Sequence, residues 1–306
     1  MISNLRNILK DQHSRQSTQR LTFRLPNLAD RSVLVDLYEA ENLDAPAVVY
    51  VHGGAWVMGD RRDHSRRLTA LQDRGITVAS IDYSLATVAS YPAQGEEINA
   101  TAAWLRATGR SSIVAMGASA GAHLAALSAF SSPHSYAGFV GLFGRYDLGA
   151  AARALVPAPG LPIPAEILHA APSAASKLSH DERLALLAGV PVDQLTEEVL
   201  ARISPYNILS KEGPRLLLMH GTSDGVVDYR HAERLRDRAE QFGVECNLVL
   251  VHGANHEDHA FEEPWAMDQI ASFIHSSHNP NLRSTTWKPT SSLSERDRQV
   301  SRLPRS

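Results

Sequence analysis

Short apolar runs recur along most of this chain and alternate with stretches of helical pattern. The runs hold four to six residues each, and such continuous hydrophobicity is typical of strands buried on both faces. They lie at 47–51, 76–81, 113–116, 139–143, 216–219 and 248–251, and the helical stretches lie near 63–74, 95–107, 120–130, 229–242 and 260–275. This alternation predicts an α/β fold, with a mostly parallel, twisted sheet and helices on both faces.

The other regions of the chain depart from this alternation. Segments 21–25 and 31–40 alternate apolar and polar residues around a turn-like 26–30, which predicts an antiparallel hairpin at a sheet edge. Region 144–209 is rich in Ala, Leu and Pro, with helical pieces near 164–170, 179–188 and 193–202, so we expect a helical cap inserted over one end of the sheet. We therefore predict an N-terminal extension at 1–20, one domain at 21–278 and a disordered polar tail at 279–306.

Composition narrows the class of protein. The chain has 306 residues, of which 43% are hydrophobic, enough for one large core. Thirty basic and 33 acidic residues give a formal charge of −3, which argues against nucleic acid or an anionic membrane as a partner. The N-terminus lacks the apolar segment of a secretory signal, and no run is long enough to span a membrane. We expect a soluble, cytoplasmic protein, and its single cysteine, Cys246, excludes an internal disulfide.

The run at 113–116 leads into Gly117-Ala118-Ser119-Ala120-Gly121 and then into a helical stretch. Small residues two positions before and after Ser119 let the backbone turn sharply, which is the geometry of a nucleophile elbow. Ser119 is therefore the candidate nucleophile. A serine hydroxyl is a poor nucleophile at its free pKa, so a general base and an acid that orients the base must lie nearby.

Two later runs are followed by residues suited to these roles. Asp224 follows the run at 216–219 and His256 follows the run at 248–251, so the order along the chain is Ser, Asp, His. Asp228 is an alternative acid, but Asp224 is nearer the end of its strand. His252 and His259 are alternative bases; His252 is still close to the strand, and His259 falls in the first turn of the final helical stretch.

The same histidines raise the question of a metal. His252, His256, Glu257, Asp258 and His259 are close in sequence, but they lack the HExxH spacing that places two imidazoles on one helix face. We therefore predict no metal site and no cofactor.

Consecutive glycines follow the first buried run, in the segment His52-Gly53-Gly54-Ala55-Trp56. Glycines at the end of a buried strand let the backbone approach a substrate closely. Amide groups aimed at a carbonyl oxygen would stabilise the negative charge that acyl transfer develops there. We expect the aromatic side chain that follows, Trp56, to be exposed.

Four motifs together resemble the α/β-hydrolase serine esterases, in their hormone-sensitive-lipase-like and feruloyl-esterase-like branch. They are HGGAW at 52–56, GASAG at 117–121, HGTSDGVV at 220–227 and GANHE at 253–257, and the resemblance covers about residues 30–275. It implies the α/β-hydrolase fold, with Ser119 as nucleophile, His256 as base and Asp224 as orienting acid. The amides of Gly54, Ala55 and Ala120 would form the oxyanion hole, and His52 would be structural. Ala55 stands where many relatives have glycine, and 82–87 matches the Asp-Tyr-Arg-Leu-Ala-Pro segment of that branch only in part.

The resemblance implies a hydrolase of small-molecule carboxylic esters with a small or medium acyl group. Trp56, Phe143, Tyr146 and the insertion would line the substrate pocket, although each aromatic residue fits core packing as well. An arylformamidase-like amide hydrolase would use the same three residues. A biosynthetic acyltransferase and a non-catalytic binding protein are further alternatives on this fold. The oligomeric state is not predicted.

Overall fold

A computed structural model describes residues 20–28, 31–42, 44–153, 155 and 177–279. Within these ranges, eight strands form one sheet in the order β1-β2-β4-β3-β5-β6-β7-β8. Their bounds are β1 Arg20–Leu28, β2 Arg31–Tyr38, β3 Ala47–Val51, β4 Thr77–Asp82, β5 Ile113–Ala118, β6 Gly138–Leu142, β7 Arg215–Gly221 and β8 Cys246–Val251. β3 to β8 pair in parallel, which confirms the mostly parallel sheet expected from the six buried runs.

The predicted hairpin is also confirmed. β1 pairs antiparallel with β2 at the edge of the sheet, and β2 pairs antiparallel with β4. β1 is longer than the predicted segment 21–25, whereas β2 ends two residues before the predicted end at 40. The pairing is irregular between Leu25 and Leu28. Leu25, Val33, Val35 and Leu37 are buried, so the alternating pattern places one face of the hairpin in the core.

Helices cover both faces of the sheet. In the described residues they are α1 Ser65–Gln72, α2 Ala93–Ala107, α3 Ala120–Ser131, α4 Ala150–Arg153, α5 His180–Ala188, α6 Glu197–Arg202, α7 Pro205–Ile208, α8 Arg230–Gln241 and α9 Pro264–His278. Neighbouring residues of β3, Val48 and Val49, belong to different apolar clusters, as expected where a strand is buried on both sides. One cluster includes α2, α3 and α8, and the other includes α1 and α9.

The final helical stretch differs from its predicted bounds. A 3-10 turn at His259–Glu262 comes first, and α9 begins at Pro264. Proline is favoured in the first turn of a helix, because backbone N–H groups there have no partner within the helix and proline therefore loses no hydrogen bond. The helix therefore starts at Pro264 rather than near 260.

The insertion is described in part. α5 coincides with the piece predicted at 179–188; Ser179 and Glu182 form a capping box at its start, and Gly189 ends it with a φ of 70°. The piece predicted at 193–202 is divided into a 3-10 turn, Val192–Gln194, and α6. The piece predicted at 164–170 lies outside the described residues. The extension at 1–20 and the tail at 279–306 lie almost wholly outside them too, so the domain bounds stay predictions.

None of the helices in the described ranges combines the length and the apolar character that crossing a membrane would require.

Candidate active site

Ser119 stands at the sharp turn between β5 and α3. Its φ of 53° and ψ of −120° lie outside the regions that non-glycine residues ordinarily adopt. The Ser119 amide donates a hydrogen bond to the Leu142 carbonyl at 2.9 Å, which ties the turn to β6. Such strained conformations persist only where the surrounding packing holds them, and they concentrate at functional sites.

Two glycines make this turn possible. A Cβ atom on Gly121 would lie 2.1 Å from the Val51 carbonyl oxygen, and one on Gly117 would lie 2.3 Å from the Gly121 carbonyl oxygen. No side chain fits at either position without movement of the backbone. The GASAG motif is therefore required sterically, as expected from the sequence.

Replacing Gly121 with alanine is expected to destabilise the fold by about 3 kcal/mol or more, because backbone atoms of β3 would have to move. Gly75→Ala is the matched control. Nothing lies within 4 Å of a Cβ atom there, so only its positive φ of 73° opposes alanine, at about 1 kcal/mol. Urea unfolding of both variants measures the difference. Equal, small losses of stability would contradict the steric account of the turn.

A continuous chain of hydrogen bonds joins the three predicted triad residues. Ser119 Oγ lies 2.9 Å from His256 Nε2, and His256 Nδ1 lies 2.8 Å from Asp224 Oδ2. An ionised carboxylate can only accept, so Nδ1 carries the imidazole proton and Nε2 is left to accept from the serine hydroxyl. This is the arrangement in which the imidazole can act as a general base toward Ser119.

The parallel sheet brings these residues together. They follow β5, β7 and β8, whose carboxyl ends lie at the same edge of the sheet. His256 and Asp224 are buried, with exposed fractions of 3% and 8%. Burial strengthens the hydrogen bonds between them by excluding water.

Asp224 is held by more than His256. Its Oδ1 accepts from the amides of Val226 and Val227, each at 2.8 Å. The fully buried His220 places Nε2 3.1 Å from Oδ2 and 2.8 Å from the Val227 carbonyl oxygen. Burial alone would raise the pKa of Asp224, but the hydrogen bonds from His220 and His256 outweigh it and lower that pKa well below its ordinary value. Asp224 is therefore a fixed carboxylate at neutral pH.

The sequence motifs assign no role to His220, although the sequence around it indicates a buried polar residue. It is a polar residue near the end of β7, where Leu216, Leu217, Leu218 and Met219 are all apolar. A histidine in such a buried position needs a partner, and Asp224 is four residues away.

The alternative residues lie elsewhere. Asp228 pairs with Arg230, at 2.6 Å between Oδ2 and Nη2. His252 is exposed, and His259 is 60% exposed and lies 3.2 Å from Glu263. Geometry therefore favours Asp224 over Asp228 and His256 over the other two histidines. In the part of the chain that the structure describes, no group of three His, Cys, Asp or Glu side chains is arranged to hold a metal ion.

The turn after β3 lies beside the nucleophile. A Cβ atom on Gly53 would be 3.4 Å from the Ser119 Cβ. Gly54, Ala55 and Trp56 have φ values of 113°, 50° and 66°, and the amides of Val57 and Met58 close the turn on the Gly54 carbonyl oxygen, each at 3.1 Å. A Cβ atom on Gly54 would lie 2.2 Å from the Met58 carbonyl oxygen, so this position requires glycine.

The three predicted oxyanion amides are available as donors. Among the hydrogen bonds of the described residues, none is donated by the backbone N–H of Gly54, Ala55 or Ala120. Ala120 is the first residue of α3, where the N–H has no partner within the helix. These amides can therefore donate to a bound oxygen atom.

The expectation that Trp56 is exposed is wrong. Its side chain is buried, with 4% of the residue exposed, and its Nε1–H donates to His123 Nδ1 at 3.2 Å. His123 Nε2 in turn donates to the Ile203 carbonyl oxygen at 2.7 Å. The Trp56 ring also lies 6.2 Å from the His180 ring, between centroids. Trp56 thus connects the glycine turn, the helix after Ser119 and the insertion.

His123 makes the stability of the fold depend on pH. Burial lowers its pKa from 6.5 to about 4, so the folded protein holds the neutral ring where the unfolded chain binds a proton. The free energy of unfolding should therefore fall as pH decreases below about 6.5, by about 2 kcal/mol between pH 7 and pH 4.5 from this group. His123→Gln, which cannot titrate, should flatten this dependence in urea unfolding, whereas the exposed His134→Gln should not. An unchanged pH dependence in His123→Gln would contradict the assignment.

Phe143 and Tyr146 have no exposed surface and belong to apolar clusters on opposite faces of the sheet. The Phe143 ring packs against the His256 imidazole, with centroids 4.9 Å apart, and Tyr146 packs against Phe139 at 6.1 Å. The structure does not bring the three predicted pocket aromatics together. Their contact with a substrate stays a prediction, and these buried positions do not favour it.

A buried ionic cluster lies behind the His256 loop. Glu257 has a φ of 55°, and its Oε2 lies 3.7 Å from Arg67 and 3.4 Å from His64. Arg67 also donates to the Tyr50 hydroxyl at 2.9 Å, and its guanidinium lies 5.9 Å from the centre of the Phe143 ring. These contacts fix the residue after His256 and the ring that packs on His256.

Known proteins resemble the chain in sequence and in fold. The family model BD-FAE matches residues 35–239. The esterase LipC of Mycobacterium tuberculosis is 27% identical over 251 residues, which cover 74% of this chain and 57% of LipC. The isoprenylcysteine alpha-carbonyl methylesterase ICME of Arabidopsis thaliana is 25% identical over 294 residues, which cover 83% of this chain and 62% of ICME. The chain thus spans less than two thirds of the length of these relatives.

Solved structures extend the comparison to the fold. A truncated carbohydrate esterase from gut microbiota superposes with a TM-score of 0.68 at 19% identity, over 86% of this chain and 98% of that one. The chain therefore has the α/β-hydrolase fold that its four motifs imply. Because the BD-FAE family model matches more than half of its length, the chain belongs to the BD-FAE family.

Proposed function

We propose that this chain is a serine hydrolase of carboxylic esters, with Ser119 as nucleophile, His256 as base and Asp224 as orienting acid. The observation that carries the proposal is the hydrogen-bonded chain from Ser119 Oγ through His256 to Asp224. Free backbone amides beside the nucleophile support it, as do relatives named as esterases.

In the first half of the reaction, Ser119 Oγ attacks the ester carbonyl carbon while His256 Nε2 takes the hydroxyl proton. The oxygen of the tetrahedral intermediate becomes negative and accepts from the amides of Gly54, Ala55 and Ala120. His256 then gives its proton to the leaving alcohol as the carbon–oxygen bond breaks. The acyl group remains bonded to Ser119.

In the second half, His256 takes a proton from water as the water oxygen attacks the acyl carbon. The second tetrahedral intermediate collapses, the acid leaves and the proton returns to Ser119 Oγ. In both halves Asp224 stays ionised and stabilises the imidazolium, which agrees with its lowered pKa. The steps consume one water and need no other reactant.

The preferred acyl group is proposed to be small or medium. The test is the rate of hydrolysis of 4-nitrophenyl acetate, butyrate and octanoate by the purified chain, beside N-formylkynurenine at the same enzyme concentration. We expect kcat/KM to be highest for acetate or butyrate. Faster turnover of N-formylkynurenine than of every ester would favour the arylformamidase-like alternative, and hydrolysis of none of them would contradict the proposal.

A further inference from the structure

Arg145 lies between the nucleophile and the acid at the carboxyl edge of the sheet. It follows β6, which is placed between β5, leading to Ser119, and β7, leading to Asp224. Its guanidinium reaches the acid loop, where Nη2 lies 3.5 Å from the Val226 carbonyl oxygen. Its charge also acts on Asp224 and on His123, one helical turn after Ser119. Ligands of open α/β sheets bind at this edge.

The pairing of Arg145 differs from that of the other buried arginines. In the described ranges, the arginines that are less than a tenth exposed are Arg61, Arg67, Arg110 and Arg145. The first three pair with carboxylates, at distances up to 3.7 Å. Arg145, 7% exposed, has no carboxylate within 4.0 Å among the described residues, and the Val226 contact is its one hydrogen bond there.

An unpaired buried guanidinium is costly, so its retention calls for an explanation. Burial lowers the pKa of Arg145 to about 10, although the charge of Asp224 opposes the shift, so the group is still a cation at neutral pH. The guanidinium N–H groups of Arg145 that make no hydrogen bond are not fully buried. Part of the cation therefore stays open to solvent.

We propose that Arg145 binds a carboxylate carried by the ester substrate. This rests on the proposed esterase function and narrows its substrate class to esters that bear an anionic group, such as monoesters of dicarboxylic acids. The planar guanidinium matches a carboxylate through two parallel hydrogen bonds. A role for Arg145 only in holding the Asp224 loop would instead affect charged and neutral esters alike.

The experiment compares esters that differ only in the charged group. Monomethyl glutarate places a carboxylate on the acyl side, and methyl 5-methylhexanoate is its apolar isostere. Sodium 4-acetoxybutanoate places the carboxylate on the alcohol side, and 4-methylpentyl acetate is its isostere. Titration of the acid released gives kcat/KM for each ester with the wild-type chain, Arg145→Met, Arg145→Lys and Arg230→Met, a control at an exposed arginine that pairs with Asp228.

The wild-type chain should prefer the charged ester in one of the two pairs by about 10- to 100-fold. The pair that shows the preference identifies whether Arg145 binds a carboxylate on the acyl side or on the alcohol side of the ester. Arg145→Met should remove the preference mainly through KM while leaving the neutral isostere within about threefold. Arg145→Lys should keep part of the preference for the charged ester, and Arg230→Met should keep all of that preference. No preference in either pair with the wild-type chain, or an equal loss on both esters in Arg145→Met, would overturn the proposal.

Binding without turnover separates this proposal from the esterase assignment. Calorimetric titration of glutarate into Ser119→Ala should show binding that weakens about 10-fold or more when Arg145→Met is added. If neutral esters are cleaved but glutarate does not bind, the carboxylate site is wrong and the esterase function stands. If glutarate binds through Arg145 but no ester is cleaved, the esterase function is wrong and the carboxylate site stands.

Discussion

Replacing Ser119 with alanine is expected to lower kcat for 4-nitrophenyl butyrate by about 10,000- to 1,000,000-fold. The change removes the one atom that bonds to the acyl carbon, and it leaves His256 with no hydroxyl to deprotonate. Stability should change little, because alanine keeps the Cβ atom and adopts the same backbone conformation as serine. Single-turnover assays with thermal denaturation as a check on folding measure both effects.

The matched control is Ser128→Ala, on α3, the helix that follows Ser119. Ser128 is also buried, and within the described residues its hydroxyl has no hydrogen-bond partner. It should keep wild-type activity within about twofold, because the change removes a hydroxyl away from the site and leaves the reacting groups in place. A Ser119→Ala variant that is folded and retains more than a tenth of the wild-type rate would show that another group is the nucleophile.

Replacing Asp224 with asparagine should lower kcat by about 10,000-fold at neutral pH. The amide NH₂ group can donate to His256 Nδ1, which would favour the tautomer with its proton on Nε2. That nitrogen then cannot accept the Ser119 proton. The remaining amide oxygen can still accept from Val226 and Val227, so the loop should keep its conformation.

Asp228→Asn is the control that separates the two candidate acids. Asp228 is four residues further along the chain and pairs with Arg230, so its replacement should change kcat by no more than about twofold. Steady-state rates of the two variants at pH 7 to 9 provide the comparison. A larger loss in Asp228→Asn than in Asp224→Asn would mean that the acid has been assigned to the wrong residue.

The sheet and the elbow could be predicted because both depend on local pattern. A strand buried on both faces must be apolar along its length, and the backbone at Ser119 leaves space only for glycine at 117 and 121. Parallel pairing then brings the ends of β5, β7 and β8 to one edge, which is why Ser119, Asp224 and His256 could be selected from residues far apart in sequence.

The residues that were missed depend on contacts between distant segments. Trp56 follows a polar-looking glycine turn, yet it is buried because His123 and the insertion supply its partners. His220 and Arg145 are polar residues next to apolar strands, and only the packed structure shows that one reaches Asp224 and the other has no carboxylate partner among the described residues. The sequence pattern assigns such residues to a strand, a helix or a loop, but it does not show which residues their side chains contact.

A fluorophosphonate probe tests directly whether Ser119 is the activated nucleophile, because the site of its covalent reaction can be located. The probe phosphonylates an activated serine by displacement of fluoride, and peptide mass spectrometry identifies the modified residue. The wild-type chain should carry one adduct, on Ser119, with none on Ser119→Ala and much slower labelling of Asp224→Asn. An unlabelled wild-type chain, or an adduct on a different residue, would contradict the account of this site.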